Sequence, residues 1–194
     1  MTSNPIMFAG VDLSSGRKPI TFAGLDEELD IKVLEKRDID EVLSYLQDYG
    51  RCILVINTPS TKTGRDVYAD LREKAFDAGY KAFLDTNHPR RWLETNAGDC
   101  FRLLSGHKLL PHRALEGRLQ RSAILYEQGL PVTDPVDLFE EVTRYKLIQG
   151  ILPLDKLPSS KELDALVAAY MGWLSLSRPG KILPTGEFVL PVGE

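Results

Sequence analysis

The first 57 residues change their apolar period in an order that few folds accommodate. "IMFAGVDL", residues 6 to 13, is an apolar run carrying one carboxylate, Asp12, near its end. A small polar turn, Ser14 to Arg17, separates it from a second run at 19 to 25, so the pair predicts a β-hairpin. "IKVLEKR", 31 to 37, alternates as a third strand. "DIDEVLSYLQDYG" then switches to helical period: Ile39, Val42, Leu43 and Leu46 share a face, Asp38 is the N-cap and Gly50 the stop. "CILVIN", 52 to 57, is short and wholly apolar, the pattern of a strand buried on both faces and parallel to an earlier one.

The rest of the chain is read the same way. "RDVYADLREKAFDAG" predicts a helix with Val67, Leu71, Ala75 and Ala78 on one side and Gly79 as cap, followed by a short strand, "KAFL". Residues 88 to 152 read as a mainly helical insert with breaks at 98, 106, 111, 129 to 131 and 150 to 153. Within it, "TDPVDLFEEVTRYKLIQG" starts a helix with Asp134 as N-cap and Pro135 at its first position. "SSKELDALVAAYMGWL" opens with a capping box, Ser159 and Glu162. Two short apolar runs around Pro184 to Gly186 predict a terminal hairpin.

Three antiparallel strands, a helix and a parallel strand, in that order, predict an α/β chain of ribonuclease H-like fold. Its mixed central sheet would be flanked by helices, with one domain spanning 1–194. The core of the actin-like kinases begins the same way, but needs two such halves and a chain about twice as long; the 194 residues hold one.

An apolar fraction of 43% supplies a core, and no apolar run is long enough to span a bilayer. Cys52 and Cys100 have no metal-type spacing, and the N-terminus lacks the pattern of a signal peptide, so a cytoplasmic protein without a membrane is expected. The net charge of −4 argues against coating nucleic acid by charge alone. Residues 88 to 121, however, hold seven Lys/Arg against three Asp/Glu, a local +4 on a body of −8. A solvated, balanced surface and an anion-steering segment both fit that distribution.

A lone buried carboxylate needs a partner, which raises the question of Asp12. Nucleases of this fold hold divalent metals between carboxylates from the first strand, the fourth strand and a late helix. Asp12, Asn57 and Asp164 occupy those places in order. Two metals can activate water and stabilise a leaving oxygen, and Mg²⁺ prefers hard oxygen ligands. Beside Asp164, the stripe Ala165, Ala168, Ala169 and Gly172 would let the helix lie close to a sheet. Local roles fit each residue too: Asp12 accepting turn amides, Asn57 as a turn residue, Asp164 in an early helical turn. Arg118 and Arg121, three apart, could grip a phosphate or pair with nearby acids; Lys108 and Arg65 are further anion contacts. Glu140 and Glu141 are candidates for a third carboxylate, and Glu140 with Arg144 for an i,i+4 ion pair. The three histidines have no metal-site spacing.

The stretches "FAGVDLSSGRKPITFAGLD", "LVINTPSTKTGRDVYADLREKAFDAGYKAF", "HKLLPHRALEGRLQRSAILYEQGLPVTDPVDLFEEVTRYKLIQGILP" and "ELDALVAAYMGWL" cover most of the chain. In them the chain resembles the predicted-nuclease family known as domain of unknown function 429, with a more distant likeness to Holliday-junction resolvases. The resemblance implies Asp12 and Asp164 as ligands of Mg²⁺ or Mn²⁺, with nucleic acid as the substrate. The family commonly has Asp where this chain has Asn57, and resolvases often have an acid where it has Lys161. The chain is therefore expected to be a metal-dependent nuclease or a catalytically degenerate relative that binds nucleotides or nucleic acid or serves as an interaction module.

Overall fold

The computed structural model describes residues 5–13, 16, 18–58, 62–82 and 87–193. Its strands are β1 (Ile6–Asp12), β2 (Ile20–Leu25), β3 (Ile31–Arg37), β4 (Arg51–Asn57), β5 (Lys81–Ala82), β6 (Arg90–Thr95), β7 (Ile182–Thr185) and β8 (Phe188–Pro191). Its α-helices are α1 (Ile39–Gln47), α2 (Lys62–Asp77), α3 (Ala97–Ser105), α4 (Leu115–Glu127), α5 (Pro135–Glu140), α6 (Arg144–Ile148) and α7 (Ser160–Ser177). Among the described residues the strands form one mixed sheet in the order β3-β2-β1-β4-β6-β8-β7, with β5 also paired to β6. β1, β4, β6 and β8 run parallel; β2 and β7 are antiparallel to their neighbours. The molecule is thus an α/β protein whose mixed sheet is flanked by helices.

Strand period decides what each face carries. Met7, Ala9 and Val11 of β1 pack with Cys52, Leu54, Ile56 and Trp92 beneath α1 and α2. Phe8 of β1, Ile53 and Val55 of β4 and Leu93 of β6 face α7. β1 and β4 are buried along almost their whole length because both faces are covered, as a parallel strand between helical layers requires. Side chains alternate, so Asp12 and Asn57 share the α7 face with Phe8 and Val55.

The α7 helix lies unusually close to the sheet. A Cβ placed on Gly10 would fall 2.0 Å from the Ala165 carbonyl oxygen and 2.4 Å from the Ala169 amide nitrogen. Only a residue without a side chain permits that approach. The expected stripe of Ala165, Ala168, Ala169 and Gly172 is buried against the sheet. α7 is buried on nearly every side, since α3 and α4 cover its outer surface. The Ser159–Glu162 capping box fixes its start: the Glu162 carboxylate accepts from the Ser159 N–H at 2.6 Å.

Two expectations are corrected. Residues 90 to 95, expected within a helical insert, are the central strand β6, bonded to β4 from Cys52–Arg90 to Asn57–Thr95. Its sequence, "RRWLET", looks like a surface because Arg90 and Glu94 find their partners only in three dimensions. Arg90 donates to the carbonyls of Ala78 and Gln47, and Glu94 accepts from Tyr68, from Trp92 Nε1 at 3.1 Å and from Arg72 at 3.3 Å. The second correction concerns the helix expected from Pro135 to Gln149, which breaks into α5 and α6. The Thr143 hydroxyl accepts from the Lys146 N–H at 3.2 Å and starts a new helix. Glu140 and Arg144 therefore do not form the i,i+4 pair.

Gly98, expected as a break, lies inside α3. Most of the Ser14–Arg17 turn, and Phe83 and Leu84 of "KAFL", lie outside the described residues. No helix among the described residues is long and apolar enough to cross a membrane.

Candidate functional site

The carboxyl ends of β1, β4 and β6 bring Asp12, Asn57 and Thr95 side by side, through the register pairs Asp12–Asn57 and Asn57–Thr95. Open sheets place ligands at this end of parallel strands, where the loops and helix starts converge. All three residues are buried, Asp12 to 1% exposure. Thr95 is fully used by the fold: its hydroxyl donates to the Val189 carbonyl at 2.7 Å.

The Asn57 amide links two elements. Its Oδ1 accepts from the Ala97 N–H at the start of α3, at 2.9 Å. Its Nδ2 donates to Asp12 Oδ1 at 2.8 Å. A backbone N–H can only donate, so this bond fixes the amide's orientation and turns the NH₂ toward Asp12. Asn57, expected as a neutral metal ligand through its carbonyl, therefore presents a donor to the site instead. It positions Asp12.

Asp164 reaches the same region from α7. It sits one residue before Ala165, at the point where the helix rests on Gly10 of β1. Its Oδ2 is 2.8 Å from His112 Nε2, and the carboxylate is buried while the imidazole is partly exposed. Burial pushes the Asp164 carboxyl above the ordinary carboxylate range; the His112 bond pulls it back, and the Asp12 carboxyl pushes it up. Lys161 is half-buried and makes no ion pair with Asp164 among the described residues.

His112 is the functional candidate that spacing along the chain does not reveal, since it lies 52 residues from Asp164. Its loop, 107 to 114, is held by α4. Gln120 Oε1 accepts from the Leu110 N–H at 2.7 Å, and its Nε2 donates to the Lys108 carbonyl at 3.1 Å. Arg121 Nη1 donates to the carbonyls of Leu110 and Gly117 at 3.2 and 2.9 Å. A Cβ on Gly117 would lie 1.9 Å from the Pro111 carbonyl oxygen, so only glycine lets the loop pack this tightly.

The expected phosphate grips find partners inside the fold. Arg121 is buried to 4% exposure against Phe101, and burial lowers its pKa while Asp164 raises it. Arg118 donates to the carbonyls of Leu157 and Pro158 at 2.6 and 3.0 Å, tying α4 to the start of α7. Neither arginine pairs with Glu116, Glu140 or Glu141. Lys108 is exposed, as is Arg113 beside His112, and Arg65 is exposed on α2. Glu141 pairs with Lys156 at 2.6 Å and Glu140 is exposed on α5, so neither supplies the third carboxylate.

Among the described residues no group of three or more His, Cys, Asp or Glu side chains is assembled as a metal site. Two buried carboxylates, one on β1 and one on α7, are nevertheless the kind of oxygen donor that Mg²⁺ or Mn²⁺ accepts, with water completing the shell. No protein-family model matches the chain, and no curated protein matches it.

Proposed function

We propose that the chain is a ribonuclease H-like protein that binds a divalent cation between Asp12 and Asp164 and hydrolyses phosphodiester bonds in nucleic acid. One observation carries the reading: a carboxylate from the first strand and one from the last long helix are both buried toward the same end of the sheet, and the Asp12 carboxyl is among the groups that push Asp164 up. The order β3-β2-β1-β4-β6, three antiparallel strands followed by parallel ones, supports the fold assignment. A bound Mg²⁺ or Mn²⁺ would polarise a phosphoryl oxygen and lower the pKa of a water.

The chain's own residues supply the rest. Asp12 and Asp164 provide the charge that holds the cation. Asn57 orients Asp12, and His112 orients Asp164. Lys108 and Arg113, exposed on the loop that carries His112, take the place of Arg118 and Arg121 as phosphate contacts.

A second reading is favoured by the Asn57–Asp12 bond. A carboxylate that accepts from an amide depends less on a cation, and a degenerate relative that binds nucleic acid without cutting it fits that arrangement. Calorimetric titration of Mn²⁺, with cleavage assays on single- and double-stranded DNA and RNA, separates the two. Mn²⁺ binding and cleavage that both vanish in Asp12→Asn and Asp164→Asn uphold the nuclease. Nucleic-acid binding with neither uphold the degenerate reading.

A further inference from the structure

Arg91 and Arg121 are the buried arginines among the described residues, and the fold uses them differently. Arg121 donates to the carbonyls of Leu110 and Gly117. Arg91, the second residue of β6, is 3% exposed, and its Nη2 is enclosed without a hydrogen-bond partner. No ion pair of its guanidinium is formed among the described residues. Burial pulls its pKa down, and the like charge of Arg51 pulls it down further. An arginine does not shed its proton to relieve this, so a guanidinium held in such a place calls for an anion.

The sheet gathers more positive charge beside it. Arg91 is in register with Ile53 of β4 and with Lys81 of β5. Residues in register point to one face, and Ile53 lies under α7, where a Cβ on Gly172 would be 3.5 Å from its Cγ2. Arg51, two residues before Ile53, points the same way. Arg90, by contrast, turns to the other face, toward the carbonyls of Gln47 and Ala78. Three neighbouring strands therefore carry Arg51, Arg91 and Lys81 in a row on the α7 face, at their amino ends. Arg51 is half-buried and Lys81 exposed, so the row opens to solvent. The Asn57 end of β4 is about 20 Å away along the strand, so these cations do not serve Asp12 or Asp164. Three cations in a row match a compact dianion whose several oxygens can accept from two guanidiniums and an ammonium. A carboxylate, or one diester of a nucleic-acid backbone, brings a single charge.

We propose that Arg91, with Arg51 and Lys81, binds a phosphoryl dianion, as inorganic phosphate or as the end of a phosphate monoester. Calorimetric titration of the full chain with inorganic phosphate and with ribose 5-phosphate, at fixed ionic strength, tests it. Both are expected to bind, and the tighter of the two tells free phosphate from a monoester. Arg91→Met removes the charge and keeps the bulk. It should weaken phosphate binding about tenfold or more. Without phosphate the same variant should be at least as stable as the wild type, because a buried charge lacking a partner is gone. Phosphate should raise the Tm of the wild type and not that of Arg91→Met. Arg51→Gln and Lys81→Gln, at more exposed positions, should each weaken binding by a smaller factor, and they test the site even where Arg91→Met fails to fold. Absence of binding by both probes overturns the proposal, as does binding that survives unchanged in the Arg51→Gln/Lys81→Gln double variant or in a folded Arg91→Met. A dinucleotide lacking a terminal phosphate that binds as tightly as inorganic phosphate also overturns it.

Discussion

The side-chain amide of Asn57 donates to Asp12 Oδ1 at 2.8 Å while its own oxygen is held by the Ala97 N–H. The charge of Asp12 is thereby offset by a neutral donor from the neighbouring strand. Asn57→Asp keeps the Ala97 bond and replaces that donor with a second carboxylate. Without divalent cation the variant should lose about 1–3 kcal/mol of stability, from one lost hydrogen bond and a like-charge contact. Mn²⁺ should raise its Tm more than it raises that of the wild type. Thermal melts in chelator and in Mn²⁺ check this; equal Mn²⁺ shifts in the two proteins would remove Asp12 and position 57 from any cation site.

His112 and Asp164 form a partly buried pair, so their contributions should be coupled. His112→Ala leaves Asp164 buried without its imidazole partner and should cost about 1–3 kcal/mol. The same change in an Asp164→Asn background should cost clearly less. A double-mutant cycle by urea melts measures the difference, and additive effects would show that the 2.8 Å contact carries no energy.

Gly10→Ala should be among the most damaging single-methyl changes in the molecule. The new Cβ meets the backbone of α7, which cannot rotate away as a side chain can. The expected loss exceeds the ~1–3 kcal/mol of ordinary overpacking, because helix and strand must separate. Gly117→Ala meets the Pro111 carbonyl and should displace the His112 loop while sparing the sheet. Amide exchange would distinguish them: global loss of protection for Gly10→Ala, loss confined to 107–121 for Gly117→Ala.

Arg118→Ala should behave as a structural change. It removes donors to two carbonyls and should lower stability by about 1–3 kcal/mol. If the protein binds nucleic acid, the salt dependence of that binding should stay as in the wild type, whereas Arg113→Ala should reduce its slope by about one. A smaller slope in a folded Arg118→Ala protein would return that arginine to the phosphate-binding surface.

Alkali should unfold the protein through groups buried in their neutral form. Burial pushes the Cys52 and Cys100 thiols from 9.0 up to about 12. Burial, with the Glu94 hydrogen bond, pushes Tyr68 from 10.0 to about 12. A group whose folded pKa is raised contributes stability that is complete below its unfolded pKa and is lost as pH rises toward the folded value. These groups should therefore leave stability unchanged below pH 9 and lower it steadily from there to about 12. Urea melts at stepped pH check this, and a profile level across that interval would contradict the burial of these groups. The native thiols should also resist disulfide reagents near neutral pH and react once the chain unfolds.

What the sequence determined by itself is what local physics encodes. β1 to β4 follow from period-two and wholly apolar runs; Asp38, Asp134 and Ser159 announce helix starts through their capping geometry; and the small residues of α7 announce a close approach to a sheet. Each of those signals lies within about one helical turn of the feature it specifies. Only the tertiary structure decided the remainder, because the remainder rests on partners distant in the chain. Arg90 and Glu94 of β6 are satisfied by the Ala78 and Gln47 carbonyls and by α2, so its sequence looks like a surface although Arg91, Trp92 and Leu93 are buried. Arg121 looks like a free cation until α4 is folded over the loop whose Leu110 carbonyl it holds. Asn57 reads as a ligand or a turn residue until the Ala97 N–H orients its amide. His112 joins the site only when that loop meets α7.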